Sequence, residues 1–139
     1  GCAAVALELE DGVFVTGKSN KLMTACASAV LNAIKTLSRI ADDMLLLSPI
    51  VLSPIIGLKK DVLREDKVKL SLGDVLTALS ICAATNPIAE KAMSMLVRLR
   101  DCEAHSSCIL PEADQSVMRK LGIRLTCEPE YGSKDLYGF

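Results

Sequence analysis

The opening run "AAVALEL", about Ala3 to Leu9, is apolar but for Glu8 and is bounded by the polar "EDG", which predicts a strand. "EDG" follows, and then "VFVTGK". Asp11-Gly12 is a two-residue hairpin signal, because both turn positions tolerate positive φ. The period then lengthens: Leu22, Cys26, Ala29, Ala33 and Leu37 recur at helical spacing, while Lys21, Ser28, Asn32, Lys35 and Arg39 fall elsewhere around the axis. Ser19 or Asn20 is the expected N-cap of that helix. "MLLLS", 44–48, reads as a buried strand, and Ser53-Pro54 as an N-cap with a preset first turn, opening a helix to about Leu63.

The charged run "KKDVLREDKVK" predicts a solvated helix end and loop. Ser71 and Asp74 form a capping box variant ahead of "LGDVLTALSICAAT". Asn86-Pro87 caps a further helix with Ile88, Ala92, Met95 and Leu99 on one side. "EAHSSCIL" predicts a fourth strand, Pro111 and Gly122 bracket a short helix, and "IRLTCEP" predicts a fifth strand. A strand, short helix and strand in succession favours a parallel right-handed crossover. The sum is an α/β fold: a three-layer α-β-α sandwich around a mixed, mostly parallel five-stranded sheet that opens with a β-hairpin. The same order of elements occurs in the cytidine-deaminase-like layout, an analogy that carries no chemistry with it. Residues 1–131 are expected to form one domain and 132–139 a mobile, Gly-rich tail. The chain opens without Met and enters a strand almost at once, so an excised part of a longer protein is expected.

Composition narrows the function classes. The 139 residues are 50% hydrophobic but only 3% aromatic, so the core must come from Leu, Ile, Val, Ala and Met. The net charge is −1 with basic residues scattered, which argues against a nucleic-acid surface. No apolar run approaches the roughly 20 residues that cross a bilayer, so no membrane partner is expected. The 6 cysteines are dispersed without a CxxC, and Cys26 and Cys82 fall on apolar helix faces. Reduced thiols and a cytoplasmic location are the reading.

Longer phrases carry a resemblance. "TGKSNKLMTACASAVLNAIK", "GDVLTALSICAATNPIAEKAM" and "LRDCEAHSSCILPEADQSVMRKLGIRLTCEPEY" resemble the carboxy-terminal part of the bacterial domain-of-unknown-function family 1846. The resemblance runs from about Ala3 to Tyr131 and implies a much longer parent with a large amino-terminal region. Some relatives carry an ATP-dependent peptidase label.

Residues 12–19, "GVFVTGKS", satisfy the Walker A pattern, but the context does not. A P-loop follows an apolar strand and uses small intervening residues so that backbone amides wrap the phosphates. Here Val13, Phe14, Val15 and Thr16 intervene, which is strand chemistry. "MLLLS" also lacks the terminal Asp that would hold magnesium. His105 is the single histidine, three residues from both Cys102 and Cys108. Strand alternation sends the two thiols to one face and His105 to the other, so no metal site is expected. H-x-E, P-C-x-x-C and H-E-x-x-H are all absent. Glu103, His105 and Ser107 would share one strand face and are the candidate catalytic groups, set against a structural histidine at a sheet edge. Gly17, Lys18, Ser19 and Asn20, placed at a helix start, are the candidate anion-binding residues.

The sequence therefore predicts a binding and assembly domain of a larger protein. Its expected partners are the parent's own amino-terminal region, a second copy and an anionic small molecule, with no cofactor. The alternative is a metal-free enzyme fragment acting on a phosphorylated metabolite or nucleotide.

Overall fold

The computed structural model describes residues 3–128. β1 (Ala4–Glu8) and β2 (Phe14–Lys18) form the opening hairpin, with Val5 opposite Gly17 and Leu7 opposite Val15. Its loop has three residues rather than the expected two. Gly12 N–H donates to the Leu9 carbonyl at 2.9 Å, Leu9 N–H donates to the Val13 carbonyl, and only Gly12 has positive φ, at 84°. That is a turn closed by a left-handed residue, a geometry in which Asp11 needs no positive φ.

Five helices follow: α1 (Ala25–Ser38), α2 (Pro49–Gly57), α3 (Leu72–Ala83), α4 (Pro87–Ser94) and α5 (Glu112–Lys120). β3 (Glu103–Ser106) precedes α5 and β4 (Arg124–Cys127) follows it. The sheet order is β2-β1-β3-β4, with β1 antiparallel to both neighbours and β3 parallel to β4. The strand-helix-strand unit thus gives the expected parallel pair. The sheet as a whole has four strands among the described residues, not five, and is not mostly parallel.

The missing strand is "MLLLS". Residues 44–48 are irregular, with Leu46 and Leu47 buried and Ser48 N–H donating to Cys82 Sγ at 3.3 Å. A short apolar run reads alike as a strand or as any buried segment. Here β3 occupies the place beside β1, and the run packs under helices instead. The three-layer expectation is corrected as well. Sheet contacts to helices come from α1 on β1 and β2 and from α5 on β4. Val5, Leu7, Val15, Ala104 and Ser106 on that side are buried, whereas Phe14, Thr16, Lys18, Glu103, His105, Arg124 and Thr126 on the other are exposed. The described residues make two layers, with one sheet face uncovered.

Helix ends follow local chemistry, with shifts in register. α1 starts later than expected: Thr24, not Ser19 or Asn20, is its N-cap, with the side chain accepting from Ala27 N–H. α2 is capped by Ser48 with Pro49 in its first turn, and Pro54 lies inside the helix. Both Ser-Pro pairs carry the same signal, and the earlier one starts the helix. α2 then widens into a π-helical turn, Leu58–Val62. The Ser71/Asp74 capping box and the Asn86 cap form as expected. The core lies between α1, α3, α5 and the sheet, where Leu7, Ile34, Leu72, Leu79, Leu99 and Met118 are fully buried. Each such side chain contributes roughly 1.5–3 kcal/mol of burial.

Candidate functional site

The Walker-like residues are spread over a turn and a strand. Gly12 is the turn residue, and 13–18 run along or into β2. Gly17 is buried against α1: a Cβ there would stand 2.1 Å from the Ala29 amide nitrogen and 2.5 Å from its Cα. Glycine serves here for strand-to-helix contact, aided by the small residues Ala25, Ala29 and Ala33 along α1.

Of the four candidate anion-binding residues, Gly17 and Lys18 therefore end β2, and Ser19 and Asn20 lie in the link that precedes α1. They do not sit at the helix start, which corrects the expected placement. Ser19 N–H donates to the Ala3 carbonyl, and its Oγ accepts from Lys69 Nζ. Asn20 Oδ1 accepts from the amides of Leu22 and Met23, at 2.8 and 3.0 Å, closing a local turn. Lys69 arrives because Met23 and Leu70 form a parallel bridge, a pairing across 47 positions that no local pattern announces.

Glu103, His105 and Ser107 share the uncovered sheet side, as alternation requires. His105 lies opposite Ala6 on β1 and Thr126 on β4, and Glu103 lies opposite Glu8 and Arg124. Ser107 Oγ accepts from Ala4 N–H at 3.1 Å, which ties β3 to β1 just past the ladder. Among the described residues no hydrogen bond joins His105 to Glu103 or Ser107, so the three stand as neighbours on a surface. Cys102 is buried, on the opposite side from His105. Among the described residues no group of three His, Cys, Asp or Glu side chains is placed to hold a metal ion.

Two constellations were not visible in the sequence. Asp114, in the first turn of α5, is fully buried, and its Oδ1 accepts from Leu72 N–H at 2.9 Å while Oδ2 has no partner. One carboxylate thereby joins the starts of α3 and α5, where free N–H groups favour negative charge. The Cys26 thiol is pushed up to about 12 by burial first, with nearby Asp114, Cys127 and Cys108 adding to it. A thiol so placed stays protonated and packs as a small hydrophobe.

The second is a cleft of about 370 Å³ between α1 and the segment Met44–Leu52. Met23, Leu46, Leu47 and Leu52 give it an apolar lining, and Ser28, Asn32 and Lys35 stand along its α1 side. Outside the cleft, Lys59 in the π-helical turn pairs with Asp74 at 2.9 Å and Glu65 at 3.7 Å. That pairing holds the Lys59 ammonium above its ordinary pKa. Burial alone would raise the Asp74 carboxyl, but Lys59 and the Ser71 N–H outweigh it and hold the group below the usual carboxylate value.

Among the described residues no helix is long and apolar enough to cross a membrane. The family model described as "Domain of unknown function DUF1846, C-terminal" matches residues 1–137. A UPF0371 protein of Clostridioides difficile strain 630 is 56% identical over 136 residues, which is 98% of this chain and 27% of that protein. UPF0371 proteins of Clostridium botulinum strains Alaska E43 and Eklund 17B are 50% and 51% identical over the same lengths. The chain thus spans about a quarter of the length of the curated relatives it matches. With its whole α/β unit inside the match, the chain belongs to the DUF1846 family, in the carboxy-terminal domain of its bacterial UPF0371 members.

Proposed function

We propose that the chain is a binding and assembly domain of a longer bacterial protein, docking the parent's amino-terminal region and supplying one wall of a ligand site. The carrying observation is the apolar surface around α2. "PIVLSPIIG" is apolar nearly all round, yet Leu52 is its single buried residue. A helix of that composition belongs inside a protein. Ile50 is 84% exposed and Leu45 75%, and Leu58, Val62 and Leu63 in and just after the following turn are exposed as well. A contiguous apolar area rimmed by charge marks an interaction site. The relatives' length supports this choice of occupant: nearly three quarters of it lies outside the match. Self-association through the uncovered sheet face is the second contact this reading includes.

Sedimentation velocity of the 139-residue chain with the separately produced amino-terminal region tests the reading. A complex is expected, and it should be lost in Ile50→Asp/Val62→Asp with the melting temperature kept. A chain that stays monomeric and ignores that region would refute it. The competing reading, a metal-free enzyme fragment acting on a phosphorylated metabolite or nucleotide, draws on Glu103, His105 and Ser107 together with Lys18. It requires His105→Ala to abolish a turnover of the longer protein, whereas assembly does not.

A further inference from the structure

We infer that the cleft between α1 and Met44–Leu52 binds a slender amphiphile, its apolar body on the leucine side and an oxyanion head on Lys35. This rests on the reading of the domain as one wall of a ligand site, and it names the chemistry of that site. The volume, about 370 Å³, falls within the range of small-molecule pockets. The floor is preformed: Met23, Leu46, Leu47 and Leu52 are each no more than 9% exposed. Leu22, Met44 and Leu45 at the rim are exposed and apolar, so a bound chain would cover surface that water now wets.

The polar side has a consistent sign. Ser28, Asn32 and Lys35 follow one another by one helical turn on α1, a row about 10 Å long at 1.5 Å per residue. Lys35 Nζ spends one N–H on the Asp42 carbonyl at 2.7 Å, and an ammonium has three. Asn20 uses its carbonyl oxygen on Leu22 and Met23, so the amide group it has left is a donor. Asn32 donates one N–H to the Thr16 carbonyl. A lysine, an asparagine amide and a serine hydroxyl facing a leucine wall match a ligand with acceptors at one end and hydrocarbon along its body. Carboxylate and phosphate monoester heads share that chemistry. A purely apolar helix would leave the Lys35 side unmatched.

The chain contains no Trp, so Leu22→Trp at the exposed rim is a unique fluorescent reporter. Decanoate, decyl phosphate, decanol and decyltrimethylammonium are titrated against it below their micelle concentrations. Amide shifts of the wild-type chain are followed in parallel, in case the reporter perturbs the fold. A blue shift with decanoate or decyl phosphate is expected, with amide changes confined to 20–35 and 44–52; the stronger of the two identifies the head. Lys35→Met keeps the aliphatic stem and should weaken the anionic probes about tenfold or more, the value of a charge-assisted hydrogen bond, while leaving decanol unchanged. Decyltrimethylammonium binding as well as the anions, equal affinity in Lys35→Met, or shifts elsewhere in the chain would each overturn the site. So would a reporter that responds to the amino-terminal region and to none of the amphiphiles. Assembly is scored by sedimentation, so the two readings fail separately.

Discussion

Replacing Gly17 with Ala adds one methyl group where the chain has no room for it. The new Cβ would meet the Ala29 nitrogen at 2.1 Å, its Cα at 2.5 Å and the Ser28 carbonyl carbon at 2.7 Å. All three are backbone atoms of α1, so no rotamer change relieves the clash. Ordinary contact begins near 3.4 Å, and α1 must therefore retreat from β2 by about an ångström. Val30 and Ile34, which are fully buried on the same helix, would move with it. Overpacking of this kind costs about 1–3 kcal/mol and occasionally more. A rigid backbone obstacle puts the expected value near the top, about 3 kcal/mol, or a fall of roughly 10 °C in melting temperature for a domain of this size. Gly12→Ala is the matched control. Gly12 has φ 84° but nothing within 4 Å of an added Cβ, so the cost is conformational alone, about 1–2 kcal/mol. Thermal and urea denaturation of both variants, followed by circular dichroism, measure the difference. Gly17→Ala within about 0.5 kcal/mol of wild type, or milder than Gly12→Ala, would refute the close-packing account.

Asp114→Ala should destabilise by about 2–4 kcal/mol, because it strands the Leu72 N–H and leaves a cavity at the starts of α3 and α5; Asp114→Asn, which keeps an acceptor, should cost clearly less by urea melts. The Asp74 carboxyl is held below its ordinary value, so its contribution is present above the unfolded carboxylate pKa and is lost as pH falls through the lower folded value. Lys59 is held above its ordinary value, so its contribution is present below the unfolded lysine pKa and is lost as pH rises through the higher folded value. Lys59→Met should therefore lower stability by about 1–2 kcal/mol across the neutral plateau and shrink both limbs of a stability-against-pH curve; an unchanged curve would deny the pair its role. Lys18→Ala should alter no ATP hydrolysis by the chain in a phosphate-release assay, since Lys18 ends a strand instead of a phosphate loop.

Local chemistry fixed the pieces that depend on neighbours in the chain. The opening strand, the Ser71/Asp74 box, the Asn86-Pro87 start and the "EADQSVMRK" helix were all legible because their determinants lie within about one turn of each other. The shared face of Glu103, His105 and Ser107 was legible for the same reason, since strand side chains alternate. What the sequence could not rank were equal local signals. Ser48-Pro49 and Ser53-Pro54 have the same chemistry, and "MLLLS" satisfies a buried strand as well as a buried loop. The difference was decided by which partner was free: β3 pairs with β1, and the 44–48 run packs under helices instead. The same holds for the sites. Gly17 is glycine because Ala29 arrives from the next element, Ser19 is held by Lys69 from 50 positions away, and Asp114 is buried because α3 comes to meet it. Contacts between residues distant along the chain leave no period and no spacing, so only the folded chain could bring the cleft, the buried carboxylate and the uncovered apolar helix into view.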